Sequence, residues 1–345
     1  MSSVVVSGRT ARELLEWGRR VTDPPLRDVV VGMLPEACRT VVGYHFGWWD
    51  QRGRPVVGRC GKALRPTLVL LSTAAMGGRP SDVARVAAAV ELVHNFSLVH
   101  DDVMDGDLTR HHRPTVWHVF GAGQAILAGD AMLALAVRVV AESAGPAGEL
   151  AVEWLSRCVV SLCEGQCADL VFERQKEVAL SECVAMVVGK TASLMGCSCA
   201  LGALLAGAGA GRVESLRVFG RELGVAFQLV DDMLGIWGDS AVTGKPVGAD
   251  LARRKKTLPV VAALASGTAA ARELSALYRE DGPLDAGQVA RAARLVEEAG
   301  GRAWAREETA SRLAEAAAHL DAAGCEPRAH AELLTLARLV AERDH

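Results

Sequence analysis

The sequence predicts an all-α fold, and three observations predict it. Apolar residues recur at three-and-four spacing over long stretches, while strand-like alternation is nearly absent. Half of the 345 residues are hydrophobic but only 4% are aromatic. The core must therefore be aliphatic and Ala-rich, which disfavours a β-sandwich or barrel. No repeat at solenoid periods and no linker interrupts the pattern. The expectation is one domain over residues 1–345, with residues 1–34 as an N-terminal helical extension and ten or more helices in all.

Taken in order, helical periodicity runs through residues 83–100 (VARVAAAVELVHNFSLVH), 124–143, 149–172, 177–206, 213–236, 257–266 and 286–323. Breaks are expected at Pro24-Pro25, Gly77-Gly78, Gly145-Pro146, the glycines of 207–211, Gly244 to Gly248, and Gly282-Pro283. Thr191 to Gly211 carries no charge and is long enough to span a bilayer. Its glycines and serines fit a buried core helix better, so no membrane span is expected.

Lys plus Arg is 38 and Asp plus Glu is 41, a net charge of -3. That balance argues against nucleic-acid binding through bulk charge. The nine cysteines form no C-x-x-C pair, and Cys197 and Cys199 sit in an apolar run. Reduced, buried thiols in a cytoplasmic protein are expected. The first twenty residues lack a signal peptide's order of parts.

Chemistry concentrates in two acidic clusters. LVHDDVMDGD places Asp101, Asp102 and Asp105 at the end of an apolar helix. Asp101 and Asp105 are four apart and project from one face, with His94 and Leu98 on that face before them. Two carboxylates so placed suit a hard cation such as Mg²⁺. FQLVDDMLG places Gln228, Asp231 and Asp232 on a second apolar helix far downstream. Helix bundles build multi-metal sites from such facing helices.

Cations accompany the carboxylates: Lys62 and Arg65 in GKALRP, Arg110 to Arg113 after the first cluster, Lys190 before the uncharged helix, and Lys245, Lys255 and Lys256 after the second cluster. Metal-binding Asp with separate Lys and Arg groups suits a diphosphate. There is no G-x-x-x-x-G-K-[ST] and no strand to precede one, so a P-loop is unsupported.

GKALRP, ELVHNFSLVHDDVMD, RHHRPT, GKTASLM, FQLVDD and GKPVGADLARRKKTLP follow one another in this order. The ordered set resembles the motifs of the trans-isoprenyl diphosphate synthases, or polyprenyl synthetases, over residues 35–345. The resemblance implies an all-α bundle with a central active-site cavity, a homodimer, and head-to-tail condensation of isopentenyl diphosphate with an allylic diphosphate. It implies Mg²⁺, three ions, with Asp101, Asp105 and Asp231 as ligands and Asp102 and Asp232 beside them. It assigns Lys62, Arg65 and His94 to isopentenyl diphosphate, and Arg110, Lys190 and Lys245 to the allylic diphosphate. Lys255 matches a further basic position. Gln166, Asp169, Thr191 and Gln228 match positions lining the reacting centre.

Two positions depart from the family pattern. Gly235 stands where the second motif usually has a third Asp, and spacing alone does not establish that Asp239, one turn on, replaces it. His111 stands where a second Arg is usual. It lacks the permanent charge and the fork, so weaker isopentenyl diphosphate binding with a pH dependence near neutrality is expected. Phe96 and Ser97, five and four residues before Asp101, match the family's chain-length positions and point to geranylgeranyl diphosphate. Farnesyl diphosphate, a non-catalytic synthase subunit and a class I terpene cyclase stay open as alternatives. A cyclase has no need of GKALRP, and FQLVDD is not its usual second motif.

Overall fold

The computed structural model describes residues 8–56, 61–238, 248–279 and 282–342. They group into two units, each assembled from three stretches of chain.

The first unit draws on Met1–Val159, Cys197–Arg217 and Leu320–Thr335. Its first helix, α1 (Ala11–Met33), is capped reciprocally: the Thr10 hydroxyl accepts from the Glu13 amide, and the Thr10 amide donates to the Glu13 carboxylate. Pro24 and Pro25 lie inside α1 rather than breaking it. A buried stripe of Leu14, Gly18, Thr22, Leu26, Val29 and Val30 continues past them. Its packing outweighs the lost backbone bonds. Helices α2 (Glu36–His45), α3 (Leu64–Ala75) and α4 (Ala84–Asp105) follow. Val86 to Val93 of α4 are all buried, so α4 is the core helix of this unit, packed on α1, α3 and α6 (Ala122–Ser143).

Gly106, at φ +65°, closes α4 directly after Asp105. The chain then makes a hairpin that sequence patterning does not predict: β1 (Thr109–Arg110) pairs antiparallel with β2 (Arg113–Pro114). Its two turn residues, His111 and His112, have φ of +50° and +60°. Such a turn favours Asn-Gly, so a His-His pair gives no local signal. Contacts to the rest of the unit hold it. The Tyr44 hydroxyl donates to the Pro114 carbonyl at 2.9 Å, and Arg113 donates to the Tyr44 carbonyl at 3.0 Å. Short α5 (Val116–Phe120) leads into α6.

The second unit draws on Val160–Gly196, Val218–His319 and Leu336–His345. Of the remaining helices, α7 is Gly148–Arg174, α8 Leu180–Val187, α9 Ser193–Leu205 and α10 Ala210–Trp237. Then come α11 (Ala249–Ala252), α12 (Leu258–Ala265), α13 (Ala269–Tyr278), α14 (Ala286–Glu298), α15 (Gly301–Ala322) and α16 (Pro327–Glu342). Ile236, Leu251, Val260, Leu274, Leu295 and Val296 form this unit's aliphatic core. The helix expected over 286–323 is two helices. Gly300 turns the chain at φ +85°, and a side chain at Gly301 would run into the Pro259 carbonyl.

The stretches Ala122–Ser143 and Leu180–Leu205 are long and apolar enough to cross a membrane by length and composition. In the second, 67% of the apolar window is buried inside the protein, as a core helix requires. Cys158, Cys183, Cys197 and Cys199 are buried thiols, as expected, but Cys163 and Cys167 on α7 are exposed and Cys38 and Cys325 only half-buried, so the expectation of buried thiols holds for part of the set.

Candidate active site

In the first unit, Lys62 and Arg65 flank the start of α3. Gly61 (φ +76°) and Ala63 (φ +54°) turn the chain there, and Arg19 of α1 donates to the Gly61 carbonyl at 2.5 Å. Lys62 is exposed. Arg65 lies 3.2 Å from His94 Nε2. A guanidinium only donates, so His94 accepts through Nε2 and is the neutral tautomer. Burial, reinforced by Arg65 and Arg110, holds its pKa well below the ordinary imidazole value. Beside it, His45 donates to Asn95 at 2.8 Å, and Asn95 donates to the Glu91 carbonyl and carboxylate at 2.7 and 3.2 Å. These bonds fix the side of α4 that carries Arg65's partner.

Asp101 and Asp105 are half-buried and share one face of α4. Asp102 is 1% exposed and turns inward. Arg110 of the hairpin donates to Asp102 Oδ1 through Nε at 2.8 Å and through Nη2 at 2.7 Å. Arg110, which the resemblance assigns to a diphosphate, thus spends its fork on Asp102. Ser97 stands about 40° around the helix from Asp101, on the same face, whereas Phe96 stands about 140° away. Phe96 is buried edge-on against His100, with ring centroids 5.5 Å apart. The Ser97 hydroxyl donates to the His94 carbonyl at 2.8 Å, leaving its face flat. His111 is exposed at the hairpin tip.

In the second unit, Lys190 and Thr191 do not open a helix as the sequence suggests. They lie in a π-helical segment, Val188–Ala192, between α8 and α9. Such wide turns often mark functional positions because they displace side chains from the α register. Glycines make the crossing possible. A Cβ at Gly165 of α7 would lie 2.9 Å from the Gly189 carbonyl carbon, and one at Gly224 of α10 would lie 2.5 Å from Ala192 Cα. Backbones therefore pack directly at the π segment.

Lys190 Nζ donates to Asp169 Oδ2 at 2.6 Å, and Lys255 Nζ approaches the same oxygen at 3.1 Å. Burial alone would raise the Asp169 pKa; Lys255 and Lys190 overcome it and hold the carboxyl below its usual range. The Thr191 hydroxyl donates to Gln228 at 2.8 Å, and Gln228 donates to Asp232 Oδ1 at 2.7 Å. The Leu258 amide donates to Asp232 Oδ2 at 3.0 Å. Burial still pushes Asp232 up to about 7, with Asp250 and Asp231 adding to it. Asp231 is exposed on the other side of α10. Gln166 is buried on α7, one turn before Asp169. Lys245 and Asp239 lie outside the described residues.

The polyprenyl synthetase family model matches residues 48–296. The geranylgeranyl diphosphate synthase of Mycobacterium tuberculosis is 47% identical over 96% of this chain and 94% of its own length. The chain belongs to the polyprenyl synthetase family. A (2E,6E)-farnesyl diphosphate synthase of Mycobacterium bovis is 46% identical over 97% of this chain and 94% of its own. A crystal structure of a polyprenyl synthetase from Streptomyces coelicolor A3(2) is 43% identical, with TM-score 0.90, covering 95% of this chain and 98% of that one. The protein is thus an isoprenyl diphosphate synthase by family, a transferase with the all-α isoprenoid synthase fold.

Asp101 and Asp105 in the first unit, and Asp231 in the second, each offer carboxylate oxygens, donors that suit a hard divalent cation. Among the described residues no three His, Cys, Asp or Glu side chains gather into a metal site. Sequence reasoning named Asp169 but not its grip on Lys190 and Lys255, because partners arriving from other elements leave no spacing signal.

Proposed function

We propose that this polyprenyl synthetase joins isopentenyl diphosphate head to tail to an allylic diphosphate and releases geranylgeranyl diphosphate. One observation carries the elongation reading: Arg65 engages His94 on the very face of α4 that bears Asp101 and Asp105. A cationic group for a second diphosphate beside the acidic face is what elongation needs and cyclisation does not. The same completeness argues against a non-catalytic subunit.

Members of the family are metal-dependent prenyltransferases. Here Asp101, Asp105 and Asp231 would hold Mg²⁺, three ions in all, which supplies positive charge to the diphosphate leaving group. The chain's own residues do the rest. Lys62 and Arg65 bind isopentenyl diphosphate, with Arg65 steadied by neutral His94. Lys190, Lys255 and Lys245 bind the allylic diphosphate, and Asp169 orients the first two. Thr191 and Gln228, tied to Asp232, present fixed dipoles to the allylic cation once its C–O bond breaks. The double bond of isopentenyl diphosphate then attacks, and the departing diphosphate takes the proton. His94, neutral and committed to Arg65, is not needed as a base.

Chain length rests on Ser97. A small side chain on the Asp101 face, with the Phe96 ring turned aside, leaves room for a tail beyond fifteen carbons. The rest of the reading is a single catalytic domain over 1–345 acting in the cytoplasm as a homodimer. Exposed Ile126 and Leu127 on α6 supply apolar surface for a second copy.

A product assay tests this. Purified protein with Mg²⁺, isopentenyl diphosphate and dimethylallyl, geranyl or farnesyl diphosphate should yield geranylgeraniol after hydrolysis, sized by mass spectrometry. Farnesol as the endpoint would keep the mechanism and overturn the chain length. Cyclic or unextended products would overturn elongation itself.

A further inference from the structure

A cavity of about 390 Å³ lies in the first unit, between α1, the residues after α2, the start of α3, and α4. Thr22 of α1 lines it and is 1% exposed. Its hydroxyl makes no hydrogen bond among the described residues. A threonine inside a helix can donate to the carbonyl one turn back, but Thr22 does not. Glu91 of α4 lines the same cavity and is 8% exposed. Asn95 donates to one of its carboxylate oxygens at 3.2 Å, and among the described residues no cation pairs with it. A carboxylate out of water is costly unless a cation answers it. Burial raises the Glu91 pKa, and the charges of Arg65 and Arg19 do not cancel the rise.

The rest of the lining completes a shape. Phe46 and Trp48 give an aromatic wall, their rings stacked with centroids 4.9 Å apart. Two arginines stand at the rim, and the protein engages both. Arg19 donates to the Gly61 carbonyl, and the Arg27 guanidinium lies over the Trp48 ring, 5.5 Å from its centroid. Exposed Asp23 adds negative charge at the mouth. Among the described residues, Lys62, Arg65 and His94 do not line the cavity; it meets the GKALRP loop at Ala63 and Pro66 instead. The space is therefore separate from the groups read above as holding isopentenyl diphosphate.

We propose that this cavity binds a small organic cation, with an ammonium head between Thr22 and Glu91 and a compact aromatic or aliphatic body against Phe46 and Trp48. The head supplies the charge that Glu91 lacks and a donor for the Thr22 hydroxyl. The aromatic wall takes the body out of water. Neither Thr22 nor Glu91 has a part in the condensation proposed above.

Isothermal titration calorimetry of the full chain with phenethylammonium chloride, in Mg²⁺ buffer, tests the site. The wild type should bind it saturably, one per chain. Neutral phenethyl alcohol, with the same body, should bind about tenfold more weakly or worse. Glu91→Gln should cost about tenfold, and Thr22→Val about fivefold, the value of one neutral hydrogen bond. Asp101→Asn should bind as the wild type does. No saturable binding would mean that the two buried groups are merely hydrated, and would overturn the proposal. So would wild-type affinity in both cavity variants, or a loss in Asp101→Asn, which would put the cation on the acidic face of α4. Should Glu91→Gln fail to fold, Thr22→Val decides alone, since it removes a hydroxyl that has no partner to lose.

Discussion

Asp169→Asn removes the one charge that Lys190 and Lys255 share, and its effect can be worked from the geometry. The carboxylate oxygen lies 2.6 Å from one ammonium and 3.1 Å from the other. At an effective dielectric of about 20, each pair is worth roughly 5–6 kcal/mol of gross attraction. Desolvating the carboxylate costs several kcal/mol, and breaking a fully buried pair nets about 3–5 kcal/mol. Asp169's side chain is 7% exposed, but the lysines are 20% and 24% exposed. Water can therefore screen the cations left behind, so we expect the low end, about 3 kcal/mol. At about 2.1 cal/mol/K of unfolding entropy per residue, that is a fall in Tm of roughly 4 °C. Inorganic diphosphate should recover part of it, since a polyanion answers the two orphaned ammoniums. Thermal melts of wild type and variant, with and without diphosphate, measure both effects. A variant melting within about 1 °C of wild type, or one that diphosphate does not raise more than wild type, would refute Asp169 as the counter-ion that organises these lysines.

Other outcomes follow from the same geometry. Burial lowers His45 to about 4 from its ordinary 6.5, and its neutral form bonds Asn95. A depressed base contributes stability above 6.5 that is lost as pH falls toward 4. His45→Gln should therefore remove about 2 kcal/mol of the stability difference between pH 7.5 and pH 5; urea unfolding at the two pH values would show it, and an unchanged difference would count against it. His111→Arg should lower the Michaelis constant for isopentenyl diphosphate about tenfold, the value of one charged hydrogen bond, and initial-rate kinetics would reveal a failure. Ser97→Phe should shift the product toward farnesyl diphosphate. Phe96→Ala should leave the product length unchanged while lowering stability by about 3–5 kcal/mol. An unchanged product spectrum in Ser97→Phe, or a longer product in Phe96→Ala, would overturn this reading of the two positions.

Sequence exposes what depends on residue type at a fixed spacing, and misses what depends on a partner from elsewhere in the chain. The acidic faces of α4 and α10 and the buried pair Cys197 and Cys199 were legible because each is a local pattern; the exposure of Cys163 and Cys167 was not. The continuity of α1 through Pro24-Pro25 was not, because a buried stripe decides it. Nor was the π segment at Lys190, which Gly165 and Gly224 permit by letting neighbouring backbones approach. The adjacent acids show where the boundary falls. Asp101-Asp102 and Asp231-Asp232 look equivalent in sequence, yet neighbours on a helix point about 100° apart. In each pair the first is turned to the water side while the second is buried, held by Arg110 in one case and by Gln228 and the Leu258 amide in the other. The split could be foreseen from helix geometry, and Gln228 sits one turn before Asp232 on α10 itself; Arg110 and the Leu258 amide could not be foreseen as anchors, since they come from a hairpin and a helix start fixed by packing. The inner acid's work is thus to hold the helix so that the outer one stays aimed. Replacing Asp102 or Asp232 should therefore disturb stability before it disturbs metal affinity, with the order reversed for Asp101 and Asp231.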